Sequence, residues 1–398
     1  MKYSVIYDVI SDKITGEWGN EPVNDSGVKI IRTANFTNLG IIDFSNIVLR
    51  EIEPSKIEKK KLETGDVIIE KSGGSPTQPV GRVVFFENPD NSVYLCNNFT
   101  TVLRPNRLVI FPKFLFYVLF YNHQIKKTLR FQNKTTGIIN LKLDKYLESK
   151  IPLPPLEDQI GIASLLSKAE ALIAKRKESL SLLDEYLKSV FLDMFGDEKN
   201  QIFELTKLEN VAVKITDGTH QSPKFLDEGV PFLLVSNIVK NQISFETKKF
   251  ISESEYVNLN KRTPIEKGDL LFTSVGSYGN AALVKDNTKF AFQRHIAYIK
   301  PNKDVIDPIF LYGALMSDIV KMQVDRAVRG VAQKTLNLSE LKMIQIPFPP
   351  LPLQKQFAEI VEKVEAMKET YSESLRELEN LYGSLSQRAF KGELGVGN

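Results

Sequence analysis

The chain has 398 residues, 42% hydrophobic and 25% charged, the composition of an ordinary globular protein long enough for more than one core. Its 52 Lys and Arg against 49 Asp and Glu leave a net charge of only +3, so bulk charge announces no polyanionic partner and any basic surface has to be local. One cysteine, Cys96, excludes a disulfide framework and makes a reducing, cytoplasmic setting the expectation, while His123, His220 and His295 lie too far apart for a zinc site.

From the start of the chain, Asp8 interrupts the only short apolar run, so no secretory leader is expected. Short β-rich runs such as Gly81-Arg82-Val83-Val84-Phe85-Phe86 alternate with turn signals. Pro112 opens a helix predicted over residues 112–128. It contains the longest apolar run, residues 114–121, which is too short to span a bilayer. A proline cluster, Ile151-Pro152-Leu153-Pro154-Pro155-Leu156, then precedes Gln159 and a long helical pattern. The second half has the β-rich run Asp269-Leu270-Leu271-Phe272, a proline-opened helix predicted over residues 308–325, and a second cluster, Ile346-Pro347-Phe348-Pro349-Pro350-Leu351, followed by Gln354 and another long helix.

The two halves repeat one another. Glu63-Thr64-Gly65-Asp66-Val67-Ile68 matches Glu266-Lys267-Gly268-Asp269-Leu270-Leu271 at an offset of 203, Arg104-Pro105-Asn106 matches Lys300-Pro301-Asn302 at 196, and the proline clusters match at 195. The order is conserved and the offset drifts by only 8 residues, which marks a tandem duplication of one unit: a mixed domain, a proline hinge and a helix.

Each long helix carries a heptad seam. In the first, Leu166, Ala169, Ile173, Arg176, Leu180, Leu183, Leu187, Val190 and Met194 recur in alternating steps of three and four; in the second, Phe357, Ile360, Val364, Met367, Tyr371, Ser374, Leu378, Leu381 and Leu385 do the same. Antiparallel pairing sets the one polar member of each seam, Arg176 and Ser374, opposite each other; parallel pairing sets Arg176 against Met367. The expected fold is therefore α+β: two pseudo-repeated mixed α/β domains separated by a long antiparallel two-helix coiled coil. Residues 1–150 and 200–345 form the domains, and residues 151–199 and 346–398 the central and C-terminal spacer helices. A rise of about 42 Å over residues 166–194, at ~1.5 Å per residue, is close to one turn of B-DNA, about 34–36 Å. Leu165, Leu172, Tyr186, Phe191 and Phe195 widen the apolar stripe of the first helix beyond what one partner helix covers.

No self-contained catalytic motif appears. Gly330-Val331-Ala332-Gln333-Lys334-Thr335 lacks the second glycine of a phosphate loop, and GxGxxG, HExxH and GxSxG are missing. Asn88-Pro89-Asp90 reads as a turn, and Lys56 to Lys61 as a solvated charge run.

The second half carries Ile215-Thr216-Asp217-Gly218-Thr219-His220, Gly229-Val230-Pro231-Phe232-Leu233, Ser236-Asn237-Ile238, Gly268-Asp269-Leu270-Leu271 and Gly276-Ser277-Tyr278-Gly279, and the chain continues through both Pro-Pro-Leu hinges to Phe390-Lys391-Gly392-Glu393-Leu394. In these strings the chain resembles the specificity subunits of type I restriction-modification enzymes. The first half has no TDGTH string, and its counterparts are looser, chiefly Ile30-Ile31-Arg32-Thr33-Ala34-Asn35-Phe36 and Lys71-Ser72-Gly73-Gly74. The resemblance implies two target-recognition domains, each reading half of a bipartite asymmetric site in double-stranded DNA, in a subunit that is not itself catalytic. Two modification (adenine methyltransferase) subunits using S-adenosylmethionine, and restriction subunits using ATP and Mg, are the implied partners. No cofactor, metal or membrane is expected for this chain. The competing readings are a stand-alone DNA-modifying enzyme and a coiled-coil scaffold that binds no DNA.

Base reading needs polar side chains on loops, with basic residues nearby for phosphates. Lys71, Ser72, Gly73, Gly74, Ser75 and Gln78 form one such string, with Ser274, Gly276, Ser277 and Tyr278 as its repeat partner. Arg130, Gln132, Asn133 and Lys134 form a second, paired with Arg326, Arg329, Gln333 and Lys334. Thr219 and His220 of the Asp-Gly turn, and Arg32, Asn35, Ser236 and Asn237 beside strand-like runs, complete the candidates. Gly65-Asp66 and Gly268-Asp269 read as turns into strands, and Phe99 and His295, aligned at offset 196, as core residues rather than residues that stack on bases.

Overall fold

The computed structural model describes residues 2–24, 26–75, 77–135, 138–197, 199–330 and 334–394, with the side chains of residues 134 and 135 outside that set. The chain divides into two compact units, one of Met1–Arg176 with Ser374–Asn398 and one of Lys177–Glu373.

In the first unit a four-stranded antiparallel sheet runs in the order Ile10–Thr15, Thr100–Pro105, Val67–Glu70, Val83–Phe85. The second unit repeats it as Ala212–Asp217, Ile296–Pro301, Leu270–Thr273, Ala281–Leu283. A smaller mixed sheet, Val48–Arg50, Val28–Ile31, Tyr94–Cys96, recurs as Phe250–Ile251, Val230–Leu233, Ala291–Phe292, with the parallel pair in the same place. The strand before each proline cluster also pairs alike, Lys150–Pro152 with Tyr3–Val5 and Gln345–Pro347 with Leu205–Lys207. The fold is thus the expected pair of pseudo-repeated α/β units.

The central strands read as continuous apolar runs because both faces are covered. Val67 and Ile69 face a cluster containing Phe114 and Leu103, whereas Ile68 faces Phe86, Tyr94 and Val102. The helix behind the first sheet, Pro112–Gln124, buries an unbroken stretch from Phe114 to Phe120. Its counterpart departs from the single helix the sequence suggested. It breaks at Ser317, whose backbone is extended and whose hydroxyl donates to the Ala314 carbonyl at 2.6 Å, giving Pro308–Met316 and Asp318–Ala327. The aromatic mass also changes sides. Tyr117 stands where the second unit has Gly313, and there the rings of Phe191 and Phe357 fill the space, so that a Cβ on Gly313 would lie 2.7 Å from Phe357.

Each proline hinge is fixed by one buried glutamine. Gln159 Oε1 accepts the Phe111 N–H at 2.8 Å while its amide donates to the carbonyls of Pro154 and Val109 at 2.8 and 3.3 Å. Gln354 makes the same three bonds to Asp307, Pro349 and Val305. Both side chains are essentially inaccessible, so each amide satisfies backbone groups that water cannot reach.

The long helices are Leu156–Phe195 and Leu351–Lys391, and each unit holds a part of both. In the second unit they pack antiparallel: Asp184 pairs with Lys368 at 2.8 Å, and further along Phe191 meets Phe357. In the first unit Tyr382 donates to Glu170 at 2.8 Å, and Ala389 and Phe390 join Ile162 and Leu166 in one apolar cluster, which is again antiparallel. Of the expected seam, Leu166 and Val364 are buried and Ile173, Arg176, Leu180, Leu183, Leu187, Tyr371, Ser374 and Leu378 half-buried. Met367 and Leu381 depart from it, being 44% and 51% exposed. Their neighbours Lys368 and Tyr382 are half-buried instead, because a long stem or a ring fills the interior while its polar end finds a carboxylate. Phe191 and Phe195 of the wide stripe pack into the second unit's core, and Leu165, Leu172 and Tyr186 stay exposed. Among the described residues no helix is long and apolar enough to cross a membrane.

Candidate nucleic-acid interface

The structure joins strings that lie far apart in the sequence. In the first unit Ser72–Gly74 forms an edge strand on the hairpin Gln132–Thr135 and Ile138–Leu141, with Ser72 opposite Asn140 and its hydroxyl donating to the Asn140 side chain. The Leu141 N–H donates to the Lys71 carbonyl at 2.8 Å, and the Gln132 amide to the Val80 carbonyl at 3.2 Å. In the second unit Val275 bridges Thr335, and the Leu336 N–H donates to the Ser274 carbonyl at 2.8 Å. The Gly276 N–H donates to the Lys334 carbonyl, and the Lys334 ammonium lies 5.6 Å from the centre of the Tyr278 ring. Tyr278 in turn donates to Asp325 at 3.0 Å. Each unit therefore presents one composite loop surface.

On that surface Gly73 and Gly276 are both exposed and are related by the repeat offset of 203. Their φ angles are +103° and +75°, a region that disfavours side chains, and among the described residues nothing lies within 4 Å of where a Cβ would be. Conformation alone demands glycine there, and the open side leaves the backbone approachable. Gly74 differs, since a Cβ there would sit 2.7 Å from the Val80 nitrogen.

Lys71 is half-buried with no side-chain hydrogen-bond or ion-pair partner among the described residues, and burial pushes its ammonium below the ordinary lysine value. Arg130, Asn133, Gln78 and Ser277 are exposed. Ser75 shapes the turn, accepting the Gln78 N–H on its hydroxyl at 3.0 Å. Arg326 is exposed and engaged, and Arg329 reaches Glu340 at 3.0 Å with 80% of its side chain still accessible. Gln333 and the Lys134 side chain lie outside the described residues. Among the described residues no group of three or more His, Cys, Asp and Glu could hold a metal ion.

Several candidates are architectural. Asn35 Oδ1 accepts the Arg32 N–H at 2.9 Å and its amide donates to the carbonyls of Asp43 and Asn46; Asn237 does the same with Leu234, Ser244 and Glu246. At 2% and 6% exposure, both are consumed in closing a loop and cannot reach a base. Arg32 donates to the Asn46 carbonyl at 2.9 Å, inside that same loop. Ser274 is buried with its hydroxyl on the His295 carbonyl. Ser236 remains exposed.

His220 is exposed, and its Nε2 lies 2.8 Å from Asp217 Oδ2, whose other oxygen accepts Arg262 at 2.6 Å. Thr219 turns its hydroxyl onto the Gln221 carbonyl at 2.9 Å. The first unit, read from sequence as lacking this string, keeps its backbone. Thr15-Gly16-Glu17 occupies the register of Asp217-Gly218-Thr219, the Gly16 and Glu17 N–H groups bonding the carbonyls of Thr100 and Cys96 as Gly218 and Thr219 bond those of Ile296 and Phe292. At both glycines a Cβ would collide with carbonyl oxygens, at 2.0 and 2.2 Å. The backbone demanded the glycine, whereas the flanking Asp and His were free to diverge.

Phe99 overturns its reading as a core residue: it is 44% exposed, at the corner of a turn that holds Lys71 and Ser72. His295, its counterpart, is half-buried beside exposed Arg294, and burial together with that neighbour lowers the imidazole below the ordinary histidine value. Sequence offered one signal for Phe99, an aromatic directly after two asparagines in a turn.

A family model described as the type I restriction modification DNA specificity domain matches the chain twice, over residues 12–182 and 200–380. The chain is similar to the type I restriction enzyme MjaVIII specificity subunit of Methanocaldococcus jannaschii, 28% identical in an alignment 302 residues long that covers 70% of each chain. It is also similar to the type I restriction enzyme EcoKI specificity subunit of Escherichia coli K12, 24% identical in a gapped alignment 408 positions long that covers 94% of this chain and 83% of that one. A solved chain described under complex assembly and conformational transition of the type I R-M system shares the fold, with a TM-score of 0.59 at 19% identity over 99% of this chain and 98% of the other.

Proposed function

The chain belongs to the type I restriction-modification DNA specificity family, and from that premise we propose that each unit reads one half of a bipartite, asymmetric site in double-stranded DNA. The observation that carries this reading is the doubled composite surface: in each unit an exposed glycine with an open Cβ side lies on a segment bonded to a second string, and the two strings carry exposed polar and basic residues. Arg130 and Lys71 in the first unit, and Arg326, Arg329 and Lys334 in the second, are suited to phosphates. Gln78 and Asn133, and Ser277 with His220, have the donor and acceptor pattern that discriminates base edges. Two different sets of side chains on one doubled backbone would read two different half-sites.

In this reading the chain is a non-catalytic subunit. Methylation of adenine with S-adenosylmethionine belongs to modification subunits, and translocation and cleavage with ATP and Mg to restriction subunits, both positioned by this chain on its site. The test is selection from random duplex DNA by the complex co-purified with the modification subunit of its genomic neighbourhood. Enrichment of two short motifs at one fixed gap is the expected result. Enrichment of nothing over input, from a stable complex, favours a protein scaffold instead.

A further inference from the structure

We infer that the turn containing Phe99 is a base-reading corner, with the Phe99 ring seated against a base step of the half-site read by the first unit; the inference rests on the DNA-reading function proposed above. In the first unit the Thr100 N–H donates to the Asn97 carbonyl at 3.0 Å, closing a four-residue turn with Asn98 and Phe99 at its corner. In the second, the Ile296 N–H closes the same turn on the Gln293 carbonyl at 3.1 Å, with Arg294 and His295 at the corner. Each turn is hydrogen-bonded to the segment that leads into the exposed glycine. The Phe99 carbonyl accepts the N–H groups of Lys71 and Ser72 at 2.9 and 3.2 Å, and the His295 carbonyl accepts the Ser274 N–H at 3.0 Å.

A single exposed aromatic on a surface is ordinary. Three further observations set Phe99 apart. Its backbone is anchored on both sides, since Thr100 is inaccessible and starts a central strand, so the ring is presented from a rigid corner. Asn98 beside it in the turn, and Asn133 and Gln78 on the two joined strings, are exposed polar residues, and Ile138, the first residue of the hairpin's second strand, is another exposed apolar side chain at 50% exposure. At the equivalent corner the repeat carries Arg294 and His295, two groups with affinity for nucleic acid. One doubled position thus holds an apolar wedge in one unit and polar readers in the other. Apolar wedges read how readily a step unstacks, while arginine and histidine read charge and hydrogen bonding in the groove.

The test uses the assembled complex with the modification subunits, comparing wild type, Phe99→Ala, Phe99→Trp and His295→Phe. Binding and the methylated motif are measured, together with the fluorescence of 2-aminopurine placed at successive positions of the mapped half-sites. Phe99→Ala is expected to weaken binding by about 10- to 100-fold, to relax one position of one half-site, and to abolish a fluorescence rise that the wild type produces there. Phe99→Trp restores both, and His295→Phe alters only the other half-site. An alanine variant with wild-type affinity and motif overturns the inference, as does a loss that falls equally on both half-sites or accompanies a lowered melting temperature. A wild-type complex that selects no split site fails at the earlier step and overturns the DNA-reading function itself.

Discussion

Gln159 and Phe111 are joined by a 2.8 Å hydrogen bond from the Phe111 N–H to the glutamine Oε1, and this contact ties the start of a long helix to the domain it leaves. The same bond joins Gln354 to Asp307. Replacing Gln159 with leucine strands one buried N–H and two carbonyls, at an expected cost of about 1–3 kcal/mol. Gln354→Leu is expected to cost a similar amount. Denaturant unfolding checks both, and a stabilised leucine variant would contradict the role.

Asn35 and Asn237 behave as loop staples. Asn35→Ala and Asn237→Ala are each expected to lower stability by about 1–3 kcal/mol while the recognised DNA sequence stays the same. Gln78→Ala and Asn133→Ala are expected to do the reverse, changing one half-site with stability held within about 0.5 kcal/mol. Melting temperatures alongside motif mapping separate the two classes.

Gly73 and Gly276 should respond to alanine chiefly through backbone strain, about 1–3 kcal/mol at the positive φ, since no neighbour among the described residues obstructs the new methyl. DNA affinity is expected to fall further than stability, because the methyl stands on the approachable side. Gly74→Ala meets the Val80 backbone and should cost stability first. Paired binding and unfolding measurements on the three variants decide the order.

Lys71 is a cation without a protein partner among the described residues, so a phosphate is its expected counter-charge. Lys71→Met should flatten the dependence of log affinity on log salt by about one unit. An unchanged slope would remove Lys71 from the interface.

Asp269 carries the clearest pH prediction. Burial pushes its carboxyl above the ordinary aspartate value, and Oδ1 has no hydrogen-bond partner among the described residues, while Tyr298 donates to Oδ2 at 2.7 Å. A raised folded pKa means that the folded state holds the proton more tightly. The group's contribution is therefore full below the unfolded value, about 3.9, and is lost as pH rises through the folded value. In the first unit the matching Asp66 receives two bonds from Arg104, where the second unit has Lys300. Lys300→Arg should supply the missing donor and reduce that loss. Hydrogen exchange of the strand Leu270–Thr273 at pH 4 and 7 measures it, and an unchanged pH response would contradict the assignment.

How much of this was legible follows from what each residue answers to. The repeat was visible because Gly65 and Gly268, the proline clusters and Gln159 and Gln354 serve the backbone, which both copies share. Asn35 and Asn237 looked like readers because an amide that closes a loop and an amide that reads adenine have the same composition; only their burial tells them apart. Met367 and Leu381 looked like seam residues because hydrophobicity hides the inward reach of Lys368 and Tyr382, whose polar ends meet Asp184 and Glu170. Phe99 reads as core by its apolar ring, and the two asparagines before it mark a turn without telling whether the ring faces inward or outward.

That the chain dictates a split recognition site is tested by mapping methylated adenines in host DNA by single-molecule sequencing, with this chain co-expressed with, or omitted from, its modification subunit. The expected result is a split motif with a fixed gap that vanishes when the chain is omitted, and whose two halves change separately with variants in the two units. Methylation that persists unchanged without the chain, or a stable complex that methylates nothing, would contradict it.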